Sequence, residues 1–252
     1  MEEFRLSGTW SVKRRLVKAF GRVLSSMGYR LTRIMETNPI DLLELSLRNA
    51  VARGTQLTFI QIGANDGITG DPLRPFVQKY NWEGAFIEPQ PDKFSRLIEN
   101  YGSRFKLHFL NCAIDYQSGS RALYRFKPDA RVPAWASGLA SFDRNHLLKF
   151  QELSQYFDLI EAVDVKTKTA PEILEECELD RIDLLQIDVE GFDFDVIKMF
   201  FSQGVLPSWL NFEHFHLDGD KREACALLLK EKGYRWLEYG RDTLALKDGG
   251  LV

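Results

Sequence analysis

The sequence predicts an α/β fold in which a mainly parallel sheet carries helices on both faces. Three observations support this prediction. Short, nearly continuous apolar runs recur along the chain, helical stretches alternate with them, and acidic residues come late in these runs or directly after them. Continuous apolar runs are typical of strands buried on both faces, and their alternation with helices indicates parallel pairing. With 252 residues, 44% of them hydrophobic, the chain is long enough for one large domain with a full core.

The predicted strands are apolar runs bounded by turn residues. LTFIQI (57–62) is the clearest, because it stops abruptly at a glycine-rich turn. The run at 121–126 is expected to add to an edge of the sheet, and the last two runs form a hairpin-like pair. In chain order, the predicted strands cover 57–62, 84–89, 105–114, 121–126, 159–167, 182–191, 208–217, 234–240 and 243–248.

The predicted helices lie between these strands and have recognisable ends. Asp71 and Pro72 are typical of an N-cap and a first helical position, and Gly102 and Gly204 are typical of helix ends. Residues 127–141 are rich in Pro, Ala, Ser and Gly and are predicted to form a long loop, of the kind that often serves as a lid. The predicted helices cover 71–80, 91–102, 170–179, 194–204 and 221–233.

Residues 1–50 are predicted to be a basic helical segment ahead of the α/β domain at 51–252. Eight basic residues and no acidic ones lie between Phe4 and Met35, although the chain as a whole has a net charge of −3. The favoured interpretation is a helix packed on the domain with its charges in water, and the alternative is docking on an anionic membrane surface. Nucleic acid is not an expected partner, because the body is acidic and lacks an aromatic-basic module. The oligomeric state is not predicted.

Deleting residues 1–35 tests the membrane interpretation. If the basic segment docks on anionic lipid, the truncated chain is expected to be retained less by anionic vesicles than the full chain, because it lacks the cationic groups and the apolar face. Co-sedimentation with such vesicles measures this. Equal retention of the two chains would reject docking.

The cysteines and the hydropathy predict a cytoplasmic protein, with the inner face of the membrane as the second location. Cys112, Cys177 and Cys225 are widely spaced and form no C-x-x-C pair, which argues against a disulfide framework. No apolar run approaches the ~18–20 residues of a membrane span, and the N-terminal residues lack the pattern of a secretory signal.

The turn after the first strand predicts a cofactor site. Ligands of parallel sheets bind at the carboxyl ends of the strands, and this turn contains Gly63, Asn65, Asp66 and Gly67. Unlike the G-x-G-x-x-G turn of dinucleotide enzymes, it has Asn65 at the second glycine position, and Asp66 adds a negative charge where a phosphate needs positive potential. A ligand with a cationic end and no phosphate suits it better, and S-adenosylmethionine (SAM) is such a ligand. The alternative is an ordinary β-to-α turn.

Two further residues are predicted to complete the cofactor site. Glu88 ends the second strand, where a carboxylate can accept both ribose hydroxyls, as the acidic residue does in NAD sites. Ala113, in the run NCAI (111–114), ends the third strand, where adenine would lie. Because an NAD-linked enzyme would also use Glu88, only the first turn separates the two cofactors. Heat-shift protection by S-adenosylhomocysteine (SAH) or by NAD tests the distinction.

Five motifs together resemble one known family. FIQIGANDG, FIEPQP, NCAI, SGLASF and LLQIDVEGFDFDVI occur in the order seen in the FkbM-type SAM-dependent methyltransferases, and the similarity covers about residues 55–217. The resemblance implies a Rossmann-like class I methyltransferase fold with a seven-stranded sheet, and methyl transfer, usually to oxygen. It implies that Asp188 and Glu190 lie beside the reacting centre. It also implies a set of cofactor residues, namely Gly63, Asn65, Asp66, Gly67 and Glu88. The segment TKTAPEIL (167–174) departs from the T-L-D-x-L pattern common in the family.

A hydroxyl acceptor must lose its proton to a base or with the help of a metal. The candidate groups are Asp188, Glu190, Glu213, His214 and His216. We predict Asp188, which also contacts the cofactor, with either Glu213 or His214, because neighbours on a regular strand point to opposite faces. The same three residues are candidate ligands for a divalent cation, and the alternative is hydrogen-bonded or helix-covered histidines. Glu190 could equally begin the next helix, where an acid favours the dipole.

The residues after the SGLASF motif are predicted to meet the acceptor from the lid. They are Ser141, Arg144 and His146, and a solvated surface role is the alternative. The predicted function is therefore that of a SAM-dependent O-methyltransferase acting on a hydroxyl of a sugar, a glycan or a small metabolite. The alternatives are an NAD-linked oxidoreductase on the same fold and a non-catalytic binding module.

Overall fold

The computed structural model describes residues 41–102, 106–129 and 131–248. The described strands are β1 (Thr58–Ile62), β2 (Glu83–Ile87), β3 (Leu107–Leu110), β4 (Ala113–Ile114), β5 (Gly119–Phe126), β6 (Ala140–Ser141), β7 (Ile160–Lys168), β8 (Leu184–Ile187), β9 (Trp209–Glu213), β10 (Tyr234–Tyr239) and β11 (Asp242–Lys247). The described α-helices are α1 (Leu42–Ala52), α2 (Arg74–Tyr80), α3 (Pro91–Tyr101), α4 (Arg144–Leu148), α5 (Ala170–Cys177), α6 (Asp193–Ser202) and α7 (Gly219–Glu231). Two 3₁₀-helices cover Ala134–Gly138 and Gln151–Leu159.

The main sheet has seven strands in the order β10-β11-β9-β8-β1-β2-β3. Every neighbouring pair is parallel except those made by β11, which is antiparallel to both β9 and β10. The seven-stranded, mostly parallel sheet is thus confirmed. The chain leaves β1 toward β2 on one side, and β8 pairs with β1 on the other side, so the strand order reverses at β1. The carboxyl end of β1 is where such sheets bind their ligands.

Side chains of β1 alternate between two buried clusters, one on each face of the sheet. Phe59 packs in a cluster with residues of α1, α2 and α3, whereas Ile60 and Ile62 pack in a cluster with residues of α5, α6 and α7. This alternation follows from the two-residue repeat of a strand. Both faces of the sheet are therefore covered by helices, as predicted.

The predicted basic segment falls largely outside the described residues, because the structure describes the chain from Asp41 onward. The part that is described, helix α1, buries Leu43 and Leu47 in the cluster around Phe59. Asp41 caps this helix by accepting a hydrogen bond from the backbone of Glu44 at 2.9 Å. The compact unit therefore begins at Asp41, before the predicted boundary at 51. Within the described residues, no helix is both long enough and apolar enough to span a bilayer.

Helix α2 begins at Arg74, and the prediction that it begins at Asp71 is wrong. The carboxylate of Asp71 accepts hydrogen bonds from the backbone of Leu73 at 2.9 Å and of Arg74 at 3.2 Å. The acid thus satisfies the free backbone donors at the helix start, as an N-cap does. The residues between Asp71 and Arg74 form a non-helical turn, and Pro75 occupies the first helical turn.

A second, four-stranded sheet in the order β4-β7-β5-β6 was not predicted. The predicted single strand at 105–114 is two strands, because β3 pairs with β2 whereas β4 pairs with β7 of the second sheet. Asn111 lies at the break, where its side-chain amide donates to the backbone oxygens of Glu88 at 2.8 Å and Pro89 at 3.2 Å. The edge prediction for 121–126 is also wrong, since β5 lies between β7 and β6.

Candidate active site

A cavity of about 580 Å³ opens at the carboxyl ends of β1, β2 and β8 and is covered by the segment 134–149. This segment is called the lid below. Predicted site residues that line the cavity are Gly63, Asn65, Glu88, Ala113, Ser141, His146, Asp188 and Glu190. Predicted site residues that do not line it are Asp66, Gly67, Arg144, Glu213 and His214. The volume lies within the range of small-molecule sites.

Gly63 lets the chain pass between two neighbouring strands. It has a φ of +82°, and a Cβ at this position would overlap the backbone carbonyl oxygen of Asp188. The backbone N–H groups of Gly63 and Ala64 donate to the carbonyl oxygen of Ile87, at 2.9 and 3.1 Å. The turn is therefore fixed to β2 on one side and pressed against the end of β8 on the other, which only glycine permits.

Glu88 and Asn65 form the polar floor of the cavity. The Glu88 carboxylate accepts hydrogen bonds from the backbone of Asn65 and of Gln90, both at 2.8 Å. Burial raises the pKa of Glu88 to about 7, although these two contacts and Lys93 act to lower it. The side-chain Oδ1 of Asn65 is buried and has no hydrogen-bond partner among the described residues. Both residues thus retain acceptor capacity toward a ligand.

The lid rests directly on this floor. The side-chain amide of Gln90 donates to the backbone oxygen of Gly138 at 3.2 Å, and Nζ of Lys93 donates to Oγ of Ser137 at 3.1 Å. A Cβ at Gly138 would lie 2.8 Å from Nδ2 of Asn65. Sequence reasoning missed Gln90 and Lys93 as lid anchors, although Gln90 follows the FIEP run directly and Lys93 comes three residues later.

Asp66 and Gly67 shape the turn from outside the cavity. The Asp66 carboxylate accepts from the backbone N–H groups of Ile68 and Thr69, at 3.0 and 2.7 Å. Partial burial acts to raise the pKa of Asp66, but these contacts outweigh it and hold the pKa below its usual value. A Cβ at Gly67 would clash with Leu97. The predicted contact of Asp66 with a cationic ligand therefore has no counterpart in this geometry, because its carboxylate closes the turn instead.

Asp188 follows β8 and is exposed to the cavity. Its accessible surface faces the cavity rather than bulk water. Removal from water by the surrounding protein, together with the nearby Glu190 and Asp193 carboxylates, raises the pKa of Asp188 well above its usual value.

Asp193 is fully buried, and its carboxylate accepts hydrogen bonds from the backbone of Gly191 at 3.1 Å and of Glu213 at 3.3 Å. Burial, with the charge of Glu213, raises the pKa of Asp193 to about 8.

Three side chains converge at the wall of the cavity beside Asp188. Nε2 of His146 and Nε2 of His216 each lie 3.3 Å from Oε2 of Glu190. The two imidazole rings are 4.6 Å apart between centroids and meet edge to face. Burial alone would raise the pKa of Glu190, but its contacts with the two histidines outweigh burial and hold the pKa at about 2. We call these three residues the His-Glu-His cluster.

The predicted set of Asp188, Glu213 and His214 is only partly brought together, because Asp188 is near enough to act on Glu213, whereas His214 lies apart from both. Strand β9 ends at Glu213. Nδ1 of His214 lies 2.9 Å from Oγ1 of Thr243, and His214 does not line the cavity. The turn that follows brings His216 back to the side of Glu213, with 3.4 Å between its Nε2 and Oε2 of Glu213. His216 thus takes the place expected for His214, because the chain stops being a strand after Glu213.

Arg241 was missed as a neighbour of the site, and nothing in its local sequence indicates the role. It lies in the turn between β10 and β11, its Nε donates to Oε1 of Glu213 at 2.8 Å, and its Nη2 lies 2.8 Å from Nε2 of His216. On the lid, Ser141 and His146 line the cavity, whereas Arg144 is exposed on α4.

Comparison with known proteins shows similarity to methyltransferases. The family model of the FkbM methyltransferase domain matches residues 61–236. The 2-O-methyltransferase NoeI of Sinorhizobium fredii (strain NBRC 101917 / NGR234) is 30% identical over 140 residues, which are 55% of this chain and 55% of that protein. The chain therefore matches about half the length of this curated relative.

Two solved structures are also similar. The FkbM methyltransferase from Methylobacillus flagellatus KT aligns with a TM-score of 0.46 and 12% identity over 76% of this chain and 43% of that chain. The SAH-bound methyltransferase PaMTH1 of Podospora anserina aligns with a TM-score of 0.45 and 10% identity over 96% of this chain and 97% of that chain.

The family match covers most of the α/β domain and includes the glycine turn, Glu88 and the His-Glu-His cluster. It decides against the NAD-linked oxidoreductase. The cavity agrees with this result, because Gly63 leaves room for a ligand at the strand ends and because Glu88 and Asn65 offer acceptors to it. The chain belongs to the FkbM methyltransferase family, and its seven-stranded, mostly parallel sheet is the class I methyltransferase fold.

Proposed function

We propose that this enzyme methylates a hydroxyl oxygen of a sugar, a glycan or a small hydroxylated metabolite. The observation that carries the proposal is the carboxylate of Asp188, which opens into the cavity at the end of β8. A hydroxyl is a poor nucleophile until its proton is removed, and a carboxylate in the cavity wall can accept that proton. The name of the similar 2-O-methyltransferase NoeI agrees with oxygen as the acceptor atom.

The residues on the floor of the cavity are suited to hold SAM. Glu88 would accept the ribose hydroxyls, and the unpaired Oδ1 of Asn65 would accept a further hydrogen bond from the ligand. The lid, anchored through Gln90 and Lys93, would exclude water from the bound cofactor. When bound, SAM supplies a sulfonium-activated methyl group, so the C–S bond breaks as the O–CH₃ bond forms and the sulfur keeps the electron pair.

The protein contributes alignment of the acceptor and removal of its proton. Asp188 would take the proton as the acceptor oxygen attacks, which leaves a neutral ether product and a protonated carboxyl. On the lid, Trp135 is 50% exposed, lines the cavity and packs against Phe150 with 6.2 Å between ring centroids. Its flat apolar surface is suited to cover the ring of a sugar, while Ser141 offers a hydroxyl beside it.

Replacing Glu88 by glutamine is expected to weaken SAH binding by about 10–100-fold, the value of hydrogen bonds to a charged acceptor. It is also expected to remove a pH dependence. Because ribose hydroxyls donate to the ionised form, and because the pKa of Glu88 in the free protein is about 7, SAH affinity of the unaltered enzyme should fall as the pH is lowered through that value. Neighbouring Lys93 and Asp92 act on this pKa in opposite directions.

Calorimetric titration with SAH between about pH 6 and 8 measures both effects of the Glu88 substitution. Glu83→Gln is the matched control, because Glu83 lies at the exposed start of the same strand. An affinity that rises as the pH falls, or an equal effect of both substitutions, would contradict the role assigned to Glu88.

The acceptor class is tested by incubating the full chain with methyl-labelled SAM and a panel of glycans, free sugars and hydroxylated metabolites. The expected result is label in an ether that survives mild base, with the methylated position located by mass spectrometry. Label that appears only on amines or carboxylates, while SAH still binds, would overturn hydroxyl methylation.

A further inference from the structure

We propose that His146, Glu190 and His216 form a binding site for a divalent transition-metal cation at the acceptor side of the cavity. Binding is argued from the geometry of the cluster alone. The role of the cation rests on the proposed methylation of a hydroxyl.

Two of the three distances between the ligand atoms match the spacing that a small cation requires. Nε2 of each histidine lies 3.3 Å from the same Glu190 oxygen, and the three candidate ligand atoms lie within 4.8 Å of one another. Metal–ligand bonds of about 2.0–2.2 Å in a tetrahedral arrangement separate ligand atoms by roughly 3.3–3.6 Å. A cation could therefore enter the cluster with small side-chain adjustments.

Two consecutive residues at the cluster, Glu190 and Gly191, have backbone conformations in the left-handed region. Glu190 has a φ of +54°, which is uncommon for a residue with a side chain and costs of order 1–3 kcal/mol. The next residue, Gly191, has a φ of +92°, and a Cβ there would approach Cβ of His216 to 3.3 Å and Cε1 of His146 to 3.7 Å. This pair of left-handed residues turns the Glu190 carboxylate toward both imidazoles, and strain of this kind is concentrated at functional sites.

The charges around the cluster favour a cation. The carboxylates of Asp188 and Glu190 are near enough to act on that of Glu213, and Arg241 is in contact with Glu213. Oε2 of Glu213 is buried, lies 3.4 Å from Nε2 of His216 and makes no hydrogen bond among the described residues. A buried carboxylate oxygen without a donor is costly, and a cation held by His216 would offset that cost.

Arg241 must move away from His216 before a cation can bind there. Its Nη2 lies 2.8 Å from Nε2 of His216, the atom that would bind the cation. Neutral imidazole with a free lone pair is the form that ligates metals. The Arg241 side chain is half exposed, so it can withdraw toward solvent and keep its contact with Glu213.

The ligand set defines the class of cation. Two imidazoles and one carboxylate suit manganese, iron or zinc, whereas magnesium and calcium prefer oxygen ligands throughout. The remaining coordination positions would face the cavity, which His146, Glu190 and His216 line together with Asp188. A cation there would lower the pKa of an acceptor hydroxyl and ease the transfer of its proton to Asp188.

The test uses the full chain, stripped of metal with a chelator and dialysed. Mn²⁺ is titrated by electron paramagnetic resonance and Zn²⁺ by calorimetry, with Mg²⁺ for comparison, and SAH binding is measured on the same samples. One tight Mn²⁺ or Zn²⁺ site is expected in the unaltered protein. His146→Asn, Glu190→Gln and His216→Asn should each weaken it by at least about tenfold.

His108→Asn, on β3 of the main sheet, is the matched control and should bind the metal as the unaltered chain does. The metal should also raise the melting temperature of the unaltered chain and of the control, but of none of the three cluster variants. Absence of stoichiometric Mn²⁺ and Zn²⁺ binding, or binding that survives all three substitutions, would overturn the site. If the metal binds but SAH does not, the proposed function fails and the metal site stands.

Discussion

Replacing Asp188 by asparagine is expected to lower kcat for methyl transfer by about 10²–10⁴-fold, the usual contribution of a positioned general base. Asparagine keeps the size of the side chain and its place in the cavity wall but cannot accept the acceptor proton. SAH affinity should change much less, because Glu88, Asn65 and the glycine turn hold the floor of the cavity independently of this carboxyl group. The expected signature is loss of turnover with cofactor binding retained.

The Asp188 prediction is checked by single-turnover transfer of labelled methyl to the acceptor found in the panel, with SAH affinity measured in parallel. Asp164→Asn is the matched control, because Asp164 is exposed on β7 of the second sheet. Turnover within a few-fold of the unaltered enzyme would show that another group removes the proton.

Replacing Gly63 by alanine is expected to lower the free energy of unfolding by about 3–5 kcal/mol, the range of severe strain and overpacking effects, and to abolish SAH binding. Alanine at a φ of +82° is strained, and its Cβ would overlap the carbonyl oxygen of Asp188. Relief requires β1 and β8 to separate at their carboxyl ends, where the cavity opens. A single methyl group should therefore damage both the sheet and the cofactor site.

The Gly63 prediction is measured by urea denaturation together with SAH titration. Gly54→Ala is an informative control, because Gly54 has nearly the same φ, +79°, but no heavy atom near the position of a Cβ. It should cost about 1–2 kcal/mol from the backbone conformation alone. An equal cost at both positions would show that the overlap with β8 is unimportant.

The sheet could be predicted well because its signals are local. Buried parallel strands such as β1 and β8 are continuous apolar runs, and each lies inside the run predicted for it. The run at 105–114 misled the prediction because an apolar pattern does not reveal which sheet a strand joins. The side-chain amide of Asn111 bonds to the backbone after β2 and so divides that run between two sheets.

The sequence by itself determined most strands of the main sheet, the edge of that sheet at which the acids gather, and the family. Only the tertiary structure decided which imidazoles line the cavity. His146, Glu190 and His216 come from the lid, the end of β8 and the turn after β9, so no local pattern records their convergence. The physical reason is that strand and turn preferences act between near neighbours, whereas a site is built by the packing of segments that are distant in sequence.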